Sequence, residues 1–194
     1  MANVVVRLSR DSDLEVLSAI EKAADSVFLE VGLALIADAD APDPTSYAAS
    51  HRAGRLLVAT SPEQMVLGFV RLEVVDGQAH VEQVSVHPDF SRRGVGAALL
   101  SAAERWAINE GYRQMTLTTY RKVPWNGPYY ERLGWVAAPE EACGPELAAI
   151  RQQEAALGLD ALPRQAMAKT LTRLAPRWVR LNSISAKRPS AEIH

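Results

Sequence analysis

The most informative segment of the chain is Val84-Ser-Val-His-Pro-Asp-Phe-Ser-Arg-Arg-Gly-Val-Gly-Ala-Ala-Leu-Leu100. Its β-branched start is typical of a strand, and Pro88 ends that strand. A short loop with two arginines and two glycines follows, and a helical pattern begins at Val95. The first amides of a helix have no intrahelical partner, and the helix dipole places partial positive charge there. The segment therefore predicts a strand–loop–helix unit that suits an anionic ligand.

Two common phosphate loops are excluded by the residues that follow the glycines. A Walker loop requires Lys and then Ser or Thr after its last glycine, whereas Gly96 is followed by Ala97 and Ala98. A dinucleotide fingerprint requires a third glycine at position 99, which is Leu99. From these residues alone, a tight turn with solvated arginines stays open as the alternative.

The flanking patterns predict a mixed α/β domain. An opening strand at residues 4–8 precedes a helix near residue 12, where Ser12 and Glu15 fit a capping box. We expect a second helix over 28–37, a loop over 38–44 and a short helix over 45–52. Three strands follow at 55–59, 65–75 and 78–87, and Asp76-Gly77 predicts a hairpin between the last two.

The alternation of the third strand slips between Val81 and Val84, which predicts a β-bulge there. Downstream, the spacing predicts a helix from Val95 to a C-terminal cap at Gly111. We then expect a strand at 114–119, a short helix between Pro128 and Gly134, and a strand from Trp135. A helix or long excursion at 145–157 precedes a final strand at 164–172, and the whole pattern is an α/β mixture with an antiparallel centre.

Composition excludes several classes of protein. The 194 residues carry 21 Lys and Arg against 23 Asp and Glu, a net charge of −2 that disfavours a general nucleic-acid binder. Cys143 is the single cysteine, so neither a disulfide framework nor a cysteine zinc site is available, and the histidines show no metal-ligand spacing. The sequence shows no signal peptide and no apolar run near ~20 residues, so we expect a cytoplasmic protein without membrane contact.

A second segment, Leu117-Thr-Thr-Tyr-Arg-Lys-Val-Pro-Trp-Asn-Gly-Pro-Tyr-Tyr-Glu-Arg-Leu-Gly-Trp135, adds to the first. Together, in this order, the two segments resemble the GNAT N-acetyltransferase superfamily. The Arg-Arg-Gly-Val-Gly-Ala loop is similar to its acetyl-CoA loop, and the second segment is similar to its later motif. The resemblance implies a central, mostly antiparallel twisted sheet of six to seven strands flanked by about four helices. It implies one domain over 1–175, followed by a basic tail over 176–194.

The resemblance also implies acetyl-CoA as cosubstrate. The backbone of Val84, Ser85 and Val86 would pair with its pantetheine arm, in a slot made by the bulge and by splayed strands. Its pyrophosphate would lie on the loop made of Ser91, Arg92, Arg93, Gly94, Val95, Gly96 and Ala97. Ser91 departs from the motif, which has Gln or Arg there, so Arg92 and Arg93 would have to compensate. Asn126 matches an Asn that contacts the cofactor arm, although it would equally serve the Trp-Asn-Gly turn alone.

The same resemblance assigns catalytic roles. Tyr130 stands four residues before Gly134 and matches the tyrosine that protonates the leaving thiolate, with Tyr129 as the alternative assignment. His80 and Glu82 lie on the bulged strand, and either is a candidate base; ordered water alone is the third option. Histidine suits proton relay near neutral pH, whereas Glu82 would need a raised pKa or a water chain.

We expect an N-acetyltransferase that acetylates a primary amine of a small molecule directly, without a covalent enzyme intermediate. Residues 38–46 and 137–163 would partly roof the acceptor site, which favours a small acceptor. A protein lysine or N-terminus is the alternative acceptor, and a non-catalytic acyl-CoA-binding regulatory module is the alternative from another class. A homodimer through sheet edges or the C-terminal segment stays open.

Overall fold

The computed structural model describes residues 4–172; the tail predicted over 176–194 lies outside this range. Seven strands form a single sheet in the order β1-β2-β3-β4-β5-β7-β6. They are β1 (Val5–Leu8), β2 (Leu56–Thr60), β3 (Val66–Val75), β4 (Gln78–Val86), β5 (Gln114–Tyr120), β6 (Val136–Ala138) and β7 (Arg164–Thr170). All neighbours pair antiparallel except β4 and β5, which are parallel. The predicted strand number and the mostly antiparallel sheet are confirmed.

Six α-helices lie in the described part of the chain, where the resemblance implied about four. They are α1 (Leu14–Asp25), α2 (Ala34–Ala37), α3 (Ala48–Arg52), α4 (Val95–Asn109), α5 (Gly127–Arg132) and α6 (Pro145–Ala156). The helix expected over 28–37 is broken, because Gly32 adopts a left-handed φ of 75° between a 3-10 segment and α2. None of the helices within residues 4–172 is long and apolar enough to span a membrane.

The predicted capping box at Ser12 and Glu15 is wrong. The Asp13 carboxylate accepts the backbone N–H of Arg10 at 2.7 Å instead. It also pairs with the Arg7 guanidinium at 2.6 Å. The ion pair with Arg7 of β1 thus holds the Asp13 carboxylate in place, so Asp13 accepts the backbone N–H at the start of this helix.

The sheet separates two cores. On one face α4 packs its buried side chains against β2, β3, β4 and β5, with Leu99, Leu100 and Leu117 at the centre. On the other face α1 packs Leu17 and Ile20 against the alternate residues of β2 and β3. The faces differ because successive strand residues point to opposite sides. Successive residues of β4 therefore point alternately to the face covered by α4 and to the face covered by α1.

Candidate active site

Strands β4 and β5 part from one another after a short paired stretch. Only Ala79–Val81 of β4 pairs with Met115–Leu117 of β5. Beyond this point, β4 continues along β3 as far as Val86, and β5 continues along β7 as far as Tyr120. The β5-facing edge of Val84–Val86 therefore pairs with no other strand of residues 4–172. Such an edge can hydrogen-bond an extended, amide-bearing chain.

A β-bulge lies where the strands part, as the sequence predicts. Arg71 of β3 is opposite Gln83, and the next residue, Leu72, is opposite Val81. Glu82 is consequently the extra residue of β4, without a partner on β3. The bulge bends β4 away from β5 and presents the Glu82 side chain at the opening between them.

The loop before α4 leaves the first amides of the helix without intrahelical partners. Gly94 has a φ of 85°, a left-handed conformation that suits glycine, and Arg92 adopts a φ of 60°. The first amide of this turn with an intrahelical partner is that of Ala98, which bonds to the Gly94 carbonyl at 3.0 Å. The amides of Val95, Gly96 and Ala97 lie in the first turn, where helix amides have no partner within the helix. Arg92 and Arg93 are exposed beside them.

Asn126 precedes α5 on the other side of the opening. Its backbone carbonyl accepts the amides of Tyr129 at 2.8 Å and Tyr130 at 3.0 Å, so it begins the helix. Its side-chain Oδ1 is buried and has no hydrogen-bond partner among residues 4–172. A buried amide oxygen normally accepts a hydrogen bond. An amide-bearing ligand between β4 and β5 could supply the missing donor.

Tyr129 and Tyr130 occupy different positions. Tyr130 is 7% exposed, and its ring lies edge-on to Trp135 with centroids 6.1 Å apart. Burial raises the pKa of Tyr130 above its ordinary value, so the hydroxyl stays protonated at neutral pH and can donate a proton. Tyr129 is half-buried and lies against Gly96, at the first turn of α4.

His80 is enclosed on the α1 face of β4. It is 1% exposed, and its Nδ1 lies 2.8 Å from the Thr116 hydroxyl of β5. Burial lowers the pKa of His80 to about 4, although Glu154 and Glu73 oppose this shift. The imidazole is therefore neutral at pH 7, and as a base it is weaker than an ordinary histidine. His80 therefore lacks the pKa near neutral pH that makes an ordinary histidine an effective base.

Glu82 lies beside His80, and each of its carboxylate oxygens has a different neighbour. Oε1 is 3.3 Å from the Arg71 guanidinium, and Oε2 is 3.9 Å from His80 Nε2. The Glu82 side chain is 37% exposed, whereas His80 is enclosed. Both predicted base candidates thus meet at the bulge, and Glu82 is the one that solvent or an acceptor can reach.

Two acidic residues of α1, Glu21 and Asp25, lie near this region, and sequence reasoning did not single them out. Glu21 of α1 accepts the Tyr47 hydroxyl at 2.7 Å, and burial raises its pKa while nearby Arg71 lowers it. Asp25 lies one turn further along α1. Burial, together with repulsion from Glu21, raises the pKa of Asp25 to about 7. The only sequence signal was two acids four residues apart beside the apolar stripe of α1.

Aromatic side chains pack together at the C-terminal end of β5. The Phe28 ring lies 5.8 Å from Tyr120 and 6.0 Å from Trp125, centroid to centroid. A Cβ at Gly158 would lie 3.4 Å from the Leu35 side chain, so the α1–α2 segment meets the turn after α6. Gly158 belongs to the 137–163 segment, and the roof expected over 38–46 and 137–163 stays a prediction. Residues 4–172 hold no group of three or more His, Cys, Asp and Glu side chains suited to a metal ion.

Solved structures with this fold include several acetyltransferases. The PaiA N-acetyltransferase from Thermoplasma acidophilum in complex with coenzyme A gives a TM-score of 0.62 at 14% identity, covering 87% of this chain and 99% of that one. The ribosomal-protein-S18-alanine N-acetyltransferase from Escherichia coli gives 0.60 at 17% identity, covering 90% and 97%. N-acetylglutamate synthase from Neisseria gonorrhoeae, complexed with coenzyme A and N-acetylglutamate, gives 0.64 at 15% identity, covering 89% of this chain and 36% of that one. These likenesses establish the fold.

The family follows from the sequence match. The sequence model of the Acetyltransferase (GNAT) family matches residues 20–135, which is more than half of the chain. The matched span includes the bulged strand β4, the loop before α4 and the α5 segment, and it ends at Trp135. The chain belongs to the acetyltransferase (GNAT) family and is an acyltransferase.

Proposed function

We propose that this enzyme transfers an acetyl group directly from acetyl-CoA to a primary amine of a small molecule. The observation that carries the proposal is the parting of β4 and β5 next to the first turn of α4. An open strand edge suits the amides of a pantetheine arm, and the helix start suits its pyrophosphate. A coenzyme A thioester carries both the amide-bearing arm and the pyrophosphate in one molecule.

The proposed cofactor contacts follow the chain. Val84, Ser85 and Val86 bond the arm through their backbone, and Asn126 Oδ1 accepts from one of its amides. The loop residues from Ser91 to Ala97, with Arg92, Arg93, Gly94, Val95 and Gly96 between them, hold the pyrophosphate. Acetyl-CoA supplies the activated acetyl thioester when bound.

Glu82 is the proposed base. An amine with a pKa near ~10 is mostly protonated at pH 7 and must lose a proton before it can attack. Glu82 is accessible at the bulge, whereas the enclosed His80 is a weak base. His80 instead fixes the orientation of Glu82 from behind, because its own ring is held by the Thr116 hydroxyl. The proton passes from the amine to Glu82, directly or through a water molecule.

Tyr130 is the proposed acid. Its buried hydroxyl is protonated at neutral pH and lies on α5, the helix that flanks the opening opposite α4. A phenol can donate its proton to a thiolate only when the two groups are held close together. We propose that the packing of Tyr130 against Trp135 fixes its ring for this purpose.

A small acceptor is favoured by the contact between Leu35 and Gly158. This proximity brings the α1–α2 segment against the turn after α6. We propose that it narrows the approach to β5, which a folded protein with a lysine side chain would need open. An amine that arrives as a cation would favour the ionised forms of Glu21 and Asp25 on α1, which burial otherwise disfavours.

The test is release of free thiol from acetyl-CoA in the presence of pooled small amines. We expect release with at least one pool, and a Glu82→Gln variant that lowers kcat by about 100-fold, within the range for a general base. Glu110→Gln, at the exposed far end of α4, is the matched control and should retain full activity. Acetylation of proteins with no reaction of any amine pool would contradict the small-molecule acceptor.

A further inference from the structure

The Tyr129 hydroxyl lies directly against the first turn of α4. It is 2.9 Å from the position that a Cβ atom would occupy on Gly96. A methyl group of Val86, the last residue of β4, is 3.8 Å from the same position. The hydroxyl therefore lies near both Gly96, in the first turn of α4, and Val86, at the end of β4. This is the junction between the proposed pantetheine slot and the proposed pyrophosphate site.

The surroundings of Tyr129 leave its hydroxyl available as a donor. The ring is half-buried, lies 5.6 Å from the Tyr130 ring and has the Arg132 guanidinium 5.8 Å from its centroid. These contacts engage the ring, and none of them engages the oxygen. Burial also raises the pKa of Tyr129, so the hydroxyl keeps its proton at neutral pH.

Two positions of the loop, Ser91 and Arg93, have limited freedom to contact a pyrophosphate. Ser91 stands where the motif has Gln or Arg, and its amide is already bonded to the Pro88 carbonyl at 3.0 Å. The Arg93 guanidinium lies over the Phe90 ring, 5.7 Å from its centroid. A pyrophosphate presents several acceptor oxygens, and donors to ionised acceptors form the stronger hydrogen bonds. A neutral donor at the same turn would therefore supplement the backbone amides.

We infer that the Tyr129 hydroxyl donates a hydrogen bond to the pyrophosphate of acetyl-CoA at the first turn of α4. It supplies part of the pyrophosphate contact that a Gln or Arg side chain at position 91 would make. The inference rests on the proposed function, because it concerns the same cofactor. It also gives the two adjacent tyrosines separate tasks: Tyr129 binds the cofactor, and Tyr130 donates the proton.

The experiment compares two acetyl donors by calorimetric titration. Acetyl-CoA carries the pyrophosphate, and S-acetylpantetheine ends before it. Tyr129→Phe should weaken acetyl-CoA binding by about 10-fold, the loss typical of one hydrogen bond to a charged group. Its affinity for S-acetylpantetheine should not change, and kcat at saturating acetyl-CoA should stay near the wild-type value. Tyr112→Phe, which alters a half-buried tyrosine near the other end of α4, should bind both donors normally.

Each other result decides against the inference. Equal acetyl-CoA affinity in Tyr129→Phe and the wild type would overturn it and leave the proposed function intact. Equal weakening for both donors would place the hydroxyl on the pantetheine arm or the acetyl group instead. No acetyl-CoA binding by the wild type would refute the proposed function, and the inference with it. Misfolding cannot imitate the expected result, because S-acetylpantetheine binding reports on the same slot.

Discussion

Replacing Asp25 by Asn should stabilise the protein, by an amount that grows as the pH rises from 4 to 7. Asp25 lies on the cleft side of α1, where burial and the neighbouring Glu21 disfavour its ionised form. The Lys22 ammonium opposes this shift only in part, because it is held by the carbonyls of Ala37 at 2.8 Å and Ala39 at 2.5 Å. Asn has nearly the same shape and no charge, so the substitution removes the unfavourable ionisation and little else.

The magnitude follows from the pKa of Asp25, which rises from 3.8 to about 7 on folding. At ~1.36 kcal/mol per pKa unit this corresponds to about 4 kcal/mol. Solvent reaches part of this carboxyl and screens it, so we take about half, ~2 kcal/mol. Between pH 4 and 7 the unfolded chain has already lost the proton while the folded chain retains it. The free energy of unfolding of the wild type therefore falls as pH rises through this window.

The assay is urea unfolding of wild type and Asp25→Asn between pH 4 and 8. The variant should gain about 2 kcal/mol over the wild type at pH 8, and the difference should vanish near pH 4. Asp40→Asn, an exposed Asp-to-Asn control in the following loop, should show no such trend. A pH-independent difference, or a variant less stable than the wild type at pH 8, would refute the assigned electrostatic environment of Asp25.

Three other predictions follow from the same structure. Tyr130→Phe should lower kcat by about 100-fold, the lower end of the range for a lost proton donor, with acetyl-CoA affinity unchanged. Equal single-turnover rates would contradict the assigned role. The His80 ring should stay neutral at pH 6 in nitrogen-15 NMR spectra, because burial lowers its pKa to about 4, and titration near 6.5 would refute its enclosure. Gly127→Ala should cost about 3 kcal/mol in urea unfolding, since its Cβ would lie 2.5 Å from the Arg121 carbonyl oxygen; an unchanged midpoint would exclude that close approach.

The turns and the bulge are predictable from the sequence because their signals are local. Asp76 and Gly77 both adopt positive φ, 51° and 67°, as a tight hairpin requires. The slip in alternation between Val81 and Val84 marks the bulge at Glu82. Both features depend on neighbouring residues alone, so one sequence is enough to place them.

The polar groups around the bulge are not predictable in the same way. Arg71 and Thr116 reach Glu82 and His80 from neighbouring strands, which requires knowledge of register. Glu21 faces the cleft because α1 is rotated to bury Leu17 against the sheet, a choice made by tertiary packing. The low pKa of His80 likewise depends on enclosure by residues far apart in the chain. Sequence reasoning therefore found the candidate bases but did not rank them.

The most direct test of the proposed activity is release of free thiol from saturating acetyl-CoA by the wild-type enzyme, with and without pooled small primary amines. We predict release that depends on both the enzyme and at least one amine pool. We also expect an acetylated amine in equal amount to the thiol. Thiol release no faster than spontaneous hydrolysis with every pool would contradict transfer to a small amine.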